Sequence, residues 1–126
     1  MAYRNLLLID DDEDDHEIFV SAANAASGDV ACTTLFNGKD ALKRLSQKEI
    51  TPDVIFLDLN MPVMSGRQFL IEIKKIEELR NIPVIIYSTS SHPQTIQSIK
   101  ELGASDFITK PALYDELVTI LKPLLT

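Results

Sequence analysis

Cysteine and long apolar segments are scarce in this 126-residue sequence. The single cysteine, Cys32, cannot form an internal disulfide or a cysteine-built metal site, and its apolar neighbours indicate an ordinary core residue. No apolar run approaches the roughly 20 residues that span a bilayer, and the N-terminus lacks the basic and apolar segments of a signal peptide. We therefore expect a soluble, cytoplasmic protein that has no membrane partner.

Positive charge is also in short supply. The chain has 12 Lys and Arg residues against 19 Asp and Glu residues, which gives a formal net charge of −7. Seven of the acids lie within residues 10–17, so the other 12 acids are balanced by the 12 basic residues. Because nucleic-acid binding requires a positive face, we expect no nucleic-acid partner. We expect the functional chemistry to involve this one acidic segment.

The length and composition match a single domain. Hydrophobic residues make up 45% of the chain and charged residues 25%, which is typical of a globular domain with an ordinary core. No internal repeat, low-complexity tract or linker divides the sequence. We expect residues 1–126 to form one domain with no output domain.

Short apolar runs alternate with amphipathic segments along the chain. Five runs are short enough to be strands buried on both faces, at residues 6–9, 30–35, 54–57, 84–87 and 107–108. Strict alternation with helices predicts a parallel sheet covered on both faces, because parallel strands require crossover connections. The predicted fold is α/β, of the flavodoxin-like doubly wound class, with five parallel strands in the order 2-1-3-4-5 and five helices.

Helical periodicity predicts which side chains of the helices face the core. The expected core positions are Phe19, Ala22, Ala23 and Ala26, then Phe69, Ile73 and Ile76, then Ile96 and Ile99, and finally Leu113, Leu117, Ile120 and Leu121. The segment "NGKDALKRL" is a further helix that begins after Asn37 and Gly38. Pro123 is expected to end the last helix and to leave residues 124–126 as a frayed tail.

Charged and hydroxyl side chains stand where the predicted strands end. Asp10 and Asp11 follow the first strand, Asp58 the third, Ser88 the fourth and Lys110 the fifth. In doubly wound folds the ligand site lies at the carboxyl ends of the strands, so these side chains should meet. Carboxylates crowded together repel one another, and a bound Mg²⁺ ion, which prefers oxygen ligands, ordinarily neutralises that repulsion. We therefore expect a magnesium site at this edge.

The same set of side chains suits phosphoryl transfer. A carboxylate can act as the nucleophile and form an acyl phosphate, while a metal, an ammonium and a hydroxyl bind the phosphoryl oxygens. Asp58 is the best nucleophile candidate, because it stands alone at the tip of the strongly hydrophobic "VIFLD". Asp10 and Asp11 form a natural metal pair.

Four segments in order, "LLLIDDD", "DVIFLDLNMPVMSG", "PVIIYST" and "GASDFITKP", closely resemble the receiver domain of two-component response regulators. The resemblance extends over essentially the whole chain. It implies that Asp58 is phosphorylated, that Asp11 binds Mg²⁺ directly and that Asp10 does so mainly through water. Asp58 and the backbone carbonyl of Asn60 would complete the set of metal ligands.

The resemblance also implies roles for the residues around the phosphoryl group. Lys110 would pair with that group, Ser88 would be the switch hydroxyl, and Phe107 would be the aromatic residue whose rotation accompanies activation. Asn60 and Ser90 occupy the positions that tune dephosphorylation. Two backbone features are implied as well, a cis bond between Lys110 and Pro111 and a turn permitted by Gly66.

The partners implied by the resemblance are proteins. The phosphoryl donor would be a histidine kinase or a histidine phosphotransfer protein, and the output would be contact with an unidentified downstream protein. The face formed by the fourth helix, fifth strand and fifth helix is the usual partner surface, and a phosphorylation-dependent homodimer could use it. Tyr114 and Val118 lie along an apolar flank of the last helix, and we hypothesise that both contribute to this surface.

Two other functions fit part of the pattern. A haloacid-dehalogenase-type phosphatase also uses an aspartyl phosphate and Mg²⁺, but it needs an acid two residues after the nucleophile, where this chain has Asn60, and a cap domain. A pseudo-receiver would act only as a binding module, which the intact set of acids, hydroxyl and lysine argues against. We expect a protein that assists its own phosphorylation without being a turnover enzyme.

We interpret several other acids, histidines and methionines as structural and not as functional residues. The acids after Asp11 are expected to form a solvated helix start, with Asp12 or Glu13 as the cap, because acids favour the positive end of a helix. His16 is expected to be a solvated helix residue and His92 a loop residue. Met61 and Met64 are interpreted as loop packing.

Overall fold

The computed structural model describes residues 2–90 and 92–126, and five strands alternate there with five helices. The strands are β1 (Asn5–Ile9), β2 (Ala31–Leu35), β3 (Val54–Leu57), β4 (Val84–Ser88) and β5 (Asp106–Thr109). The helices are α1 (Glu13–Ala26), α2 (Gly38–Ser46), α3 (Gly66–Lys74), α4 (Pro93–Glu101) and α5 (Tyr114–Leu125).

The strands form one parallel sheet in the order β2-β1-β3-β4-β5, which confirms the predicted fold class and strand order. All residues of β3 and β4 are buried, as are residues 6–9 of β1. These strands are continuous apolar runs because helices cover both faces of the sheet. Since every strand runs in the same direction, the carboxyl ends of all five lie at one edge.

The core is divided by the sheet into two clusters. The first cluster lies under α2, α3 and α4 and includes Ala41, Phe69 and Ile99. The second cluster lies under α1 and α5, where the ring centroid of Phe19 is 4.9 Å from that of Phe56. The predicted core face of α1 is confirmed, since all four of its residues are buried: Phe19, Ala22, Ala23 and Ala26.

Side-chain caps fix where three of the helices begin. The Asp12 carboxylate accepts a hydrogen bond from the Asp14 backbone N–H at 2.9 Å at the start of α1. The Asn37 side chain caps α2 in the same way, and Ser65 forms a capping box with Gln68 at α3. Such caps satisfy backbone donors that have no partner within the helix. The predicted cap at Asp12 is confirmed, and α2 begins at Gly38, one residue before its predicted start.

The end of the chain differs from the prediction. Helix α5 continues through Pro123 to Leu125, whose side chain is only 1% exposed, and the Leu124 carbonyl accepts a hydrogen bond from the Tyr3 N–H at 3.0 Å. This docking offsets the one helical hydrogen bond that proline cannot donate. The expected termination at Pro123 and the frayed tail are therefore wrong.

Two predicted core positions lie outside their helices. Leu113 is the residue before α5 and is 62% exposed, so the buried face of this helix consists of Leu117, Leu121 and Leu125. Ile76 follows the end of α3 but still packs against the first core cluster.

No peptide bond in residues 2–90 and 92–126 is cis, so the bond between Lys110 and Pro111 is trans. The implied cis bond is therefore wrong, and trans is the lower-energy state even before proline.

Gly66 allows α3 to start directly against the end of β3. A Cβ at this position would clash with the carbonyl oxygen of Asp58 and lie 2.8 Å from the Leu59 Cα. The Gly66 N–H donates a hydrogen bond to the Leu59 carbonyl at 3.0 Å. The glycine is thus required by close backbone approach rather than by a positive φ.

The Gly66→Ala substitution should lower the free energy of unfolding by about 1–3 kcal/mol, because overpacking forces the backbone behind Asp58 to move. Gly28→Ala is the matched control, since the added Cβ would meet no atom within 4 Å other than those of its own residue and its two chain neighbours. Urea denaturation of both variants measures the difference. Equal stabilities of the two variants would show that the close approach at Gly66 is not a constraint.

Candidate functional site

The carboxyl edge of the sheet brings three acids together. Carboxylate oxygens of Asp10, Asp11 and Asp58 all lie within 4.8 Å of one another. Asp10 and Asp58 are buried, at 0% and 5% exposure, whereas Asp11 is exposed. The strand hydrogen bonds continue into the site, because the Asp10 N–H donates to the Leu35 carbonyl and the Asp58 N–H donates to the Ile9 carbonyl. The sheet therefore holds two of these acids rigidly.

Lys110 extends from the end of β5 into this cluster. Its ammonium Nζ lies 2.8 Å from Asp10 Oδ2, 2.7 Å from Asp15 Oδ2 and 3.7 Å from Asp58 Oδ1. Burial alone would lower the pKa of Lys110, but the hydrogen bonds to Asp10 and Asp15 outweigh it and raise the pKa above its usual value. Lys110 is therefore a fixed positive charge in the site.

The single positive charge of Lys110 does not balance the negative charges of the acids around it. Burial raises the pKa of the Asp58 carboxyl from 3.8 to about 6, although the Lys110 charge acts in the opposite direction. Burial also raises the pKa of Asp10 despite its hydrogen bond to Lys110. A set of oxygen donors with excess negative charge is what a hard divalent cation prefers. The residues present thus fit Mg²⁺.

Ser88 is the last residue of β4 and is fully buried. Its Oγ accepts a hydrogen bond from the Ser90 N–H at 3.4 Å, and its carbonyl accepts one from the Lys110 N–H at 2.8 Å. Ser88 also favours the ionised form of Asp58, as does the backbone of Asn60, and both lower the pKa of that carboxyl. The hydroxyl thus lies beside the acid cluster, as the strand-end pattern predicts.

The finer roles implied by the resemblance stay predictions. Phe107 is half-buried in β5 and packs against the first core cluster. Its rotation on activation stays a prediction. Asn60 is exposed and Ser90 is half-buried, and their influence on dephosphorylation is equally untested. The Asn60 carbonyl likewise stays a predicted metal ligand.

Asp15 is a site residue that the sequence interpretation missed. The sequence pattern predicts that Asp15 belongs to the solvated helix start, but its side chain is only 25% exposed and contacts Lys110 directly. The helical spacing carried a usable signal, because Asp15 is four residues before the buried Phe19 and seven before Ala22. Asp15 therefore lies on the inward face of α1.

His16 is buried, which contradicts the predicted solvated position. Its Nε2 lies 2.6 Å from the Asp10 carbonyl oxygen, and its ring stacks on Phe36 with centroids 4.4 Å apart. Because a carbonyl can only accept, Nε2 must be the donor. A buried histidine with a satisfied polar atom is tolerated in a core, and this one fixes the backbone between the two predicted metal ligands.

The hypothesised partner residues of α5 lie close to α1. The Tyr114 hydroxyl is 2.9 Å from Ser21 Oγ of α1, although the side chain is 42% exposed. Val118 is half-buried against the second core cluster. This flank thus belongs in part to the contact between the two helices, and the role of Tyr114 and Val118 in partner binding stays a prediction.

The remaining structural interpretations agree with the structure. His92 is exposed immediately before α4, while Met61 and Met64 pack against the first core cluster. Cys32 is half-buried against the second cluster, and burial raises the pKa of its thiol to about 11. In the described part of the chain, no helix combines the length and apolar character needed to cross a bilayer.

Comparison with known proteins identifies similar domains. Residues 6–122 match the family model of the response regulator receiver domain. A protein-glutamate methylesterase/protein-glutamine glutaminase of Treponema denticola is 38% identical over 109 residues, which are 85% of this chain and 28% of that protein. This chain therefore spans little more than a quarter of that relative's length.

Solved structures resemble nearly the whole chain. The phosphorylated cyanobacterial phytochrome response regulator RcpA has a TM-score of 0.86 and 31% identity, with 97% of this chain and 91% of that chain covered. The Mn(2+)-bound form of response regulator Rcp1 has a TM-score of 0.83 and 27% identity, with coverages of 95% and 90%.

The raised pKa of Asp58 predicts how stability depends on pH without divalent cations. The folded protein holds a proton up to about pH 6 that the unfolded chain releases near 3.8, so ionisation destabilises the folded state as the pH rises between these values. Asp58→Asn should therefore raise the free energy of unfolding at pH 7.5 by about 2–3 kcal/mol and bring little gain at pH 4.

Chemical denaturation across this pH range in chelator-treated buffer measures the effect. Asp14→Asn is the control, because it makes the same change in charge at an exposed position. A stability gain for Asp58→Asn that does not depend on pH would contradict the assigned cause.

Proposed function

This chain belongs to the response regulator receiver domain family, and from that premise we propose that Asp58 accepts a phosphoryl group in two-component signalling. The donor would be a histidine kinase or a histidine phosphotransfer protein. The observation that supports this best is the convergence of Asp10, Asp11 and Asp58 with the Lys110 ammonium at one edge of the sheet.

Asp58 is suited to act as the nucleophile. A pKa of about 6 leaves its carboxylate ionised near neutral pH, and burial has removed much of the water that would solvate it. A carboxylate oxygen would form the new bond to phosphorus while the bond from phosphorus to the donor's leaving atom breaks. The rigid end of β3 keeps that oxygen in place during the exchange.

We assign the metal ligands to Asp10, Asp11 and Asp58, with the Asn60 backbone carbonyl as a further ligand. When bound, Mg²⁺ would neutralise charge on the phosphoryl oxygens as a Lewis acid. The three clustered carboxylates and their unbalanced charge support this assignment. The similar Rcp1 structure is described as Mn(2+)-bound, which is consistent with a divalent cation at such a site.

Two side chains would bind the phosphoryl group itself. The Lys110 ammonium would donate hydrogen bonds to phosphoryl oxygens, and the Ser88 hydroxyl would donate another from the end of β4. The added charge would bias an equilibrium between two conformations, with Phe107 as the reporter of the switch and with Asn60 and Ser90 setting the rate of hydrolysis. The protein would thus be a switch in the cytoplasm and not a turnover enzyme.

The output of the switch would be binding to another protein. Receiver domains interact with histidine kinases and downstream effectors. We place the downstream contact on the face of α4, β5 and α5, with a phosphorylation-dependent homodimer as one form it could take. Shallow grooves occur on both helices of this face, one beside Pro93 and Ile96 and another beside Glu116 and Ile120.

Incubation with acetyl phosphate and Mg²⁺ should add the mass of one phosphoryl group to the protein, because Asp58 then has both a donor and its counter-charge. Intact-mass spectrometry measures the gain. Asp58→Asn should abolish it, whereas Asp14→Asn, which makes the same change in charge at an exposed position of α1, should not. An equal gain in Asp58→Asn would overturn the assignment of the acceptor.

Mg²⁺ should raise the thermal midpoint of the protein in a concentration-dependent way, because it binds the folded state alone. Asp11→Asn should weaken the apparent affinity by about tenfold or more, since it removes a charged oxygen ligand. Asp14→Asn is the control of equal charge in the same acidic segment. The same midpoint shift in both variants would exclude Asp11 as a ligand.

A further inference from the structure

Lys110 has a carboxylate partner that the proposed chemistry does not use. The Asp15 Oδ2 atom is 2.7 Å from the ammonium nitrogen, while the nearest Asp58 oxygen is 3.7 Å away. The first distance is that of a charge-assisted hydrogen bond and the second is too long for one. In the unphosphorylated protein Lys110 is therefore held more closely by α1 than by the acceptor.

Asp15 differs from its acidic neighbours in the first turn of α1. Asp12 caps the helix, and Asp14 is exposed to solvent. Within residues 2–90 and 92–126, the hydrogen bonds of the Asp15 carboxylate go to Lys110 alone. The two residues are 95 positions apart in the sequence, so the contact joins α1 to the end of β5.

The ammonium group has three N–H donors, and Asp10 and Asp15 each accept one of them. A phosphoryl group on Asp58 would bring about −1.5 to −2 charges to the same ammonium. Asp10 belongs to the proposed metal site, where a cation would offset its charge. Asp15 has no such offset: it holds the ammonium 2.7 Å from its own carboxylate and 3.7 Å from Asp58, and its charge would repel the phosphoryl oxygens.

We propose that Asp15 is a positioning residue that holds Lys110 back from Asp58 and thereby weakens the binding of a phosphoryl anion at the acceptor. This inference rests on the proposed function of Asp58. Asp15 lowers the affinity of the site for the anion and takes no part in bond formation.

The experiment uses beryllofluoride, a phosphoryl mimic that binds to a carboxylate, at saturating Mg²⁺. The apparent Kd is measured by NMR titration of the whole chain. Asp15→Asn should bind about three- to tenfold more tightly than the wild type, the change expected when one nearby like charge is removed. Asp14→Asn makes the same charge change one residue away, and its Kd should stay close to that of the wild type.

Two further measurements separate positioning from a general effect on structure. Asp15→Glu keeps the carboxylate and should restore weak binding. Thermal unfolding then tests the contact without any ligand: Asp15→Asn should melt below Asp14→Asn, because it loses the partner of Lys110. In the Lys110→Gln background this order should vanish or reverse, since Asp15 then has no ammonium to bind.

The outcomes distinguish this inference from the proposed function. If the wild type binds beryllofluoride and Asp15→Asn binds it no more tightly than Asp14→Asn, the inference is overturned and the proposed function stands. Weaker binding by Asp15→Asn would also overturn the inference, since Asp15 would then prepare Lys110 for the anion. If the wild type neither binds beryllofluoride nor gains a phosphoryl group, both proposals fail together.

Discussion

The site depends on one shared ammonium group. Lys110 Nζ lies within hydrogen-bonding distance of Asp10 and Asp15 and 3.7 Å from Asp58, so a single positive charge links α1 to the ends of β1, β3 and β5. Charges in a partly desolvated cluster interact more strongly than charges in water. Any change in the charge of one carboxylate must therefore change how firmly the other two hold Lys110.

The fold tolerates this cluster because the sheet beneath it is strongly apolar. Burial of the Asp58 and Asp10 carboxyls raises both pKa values, which means that their ionised forms destabilise the folded state. The buried strands β3 and β4 and the two core clusters offset that cost. Asp58, the proposed acceptor, is poorly solvated and poorly compensated, so it would gain from a cation and from a new partner. The cost in stability and the suitability for the proposed chemistry therefore have one origin.

Much of the fold could be predicted from the sequence, whereas the details of the site could not. Apolar runs of strand length report burial on two faces directly, so the strands and the meeting of Asp10, Asp58 and Lys110 followed from topology. Helical spacing alone could have placed Asp15 on the inward face of α1, but periodicity does not show its partner, an ammonium 95 residues away. The burial of His16 likewise depended on a partner that periodicity does not show, the Asp10 carbonyl oxygen. The error at Pro123 has a similar cause, because local propensity was outweighed by the docking of Leu125.

The acidic segment therefore has several functions within a few residues. Asp10 and Asp11 form the oxygen cluster, Asp12 caps α1, Asp14 faces solvent and Asp15 binds Lys110. Their order follows from geometry, since the strand ends in the cluster and the first helical turn rotates each successive side chain by about 100°. That rotation turns Asp14 towards water and Asp15 back towards the sheet. The excess negative charge of the chain is thus divided between acids that a cation or a shared lysine can balance and acids that face water. The direction in which the backbone points each acid sets its role.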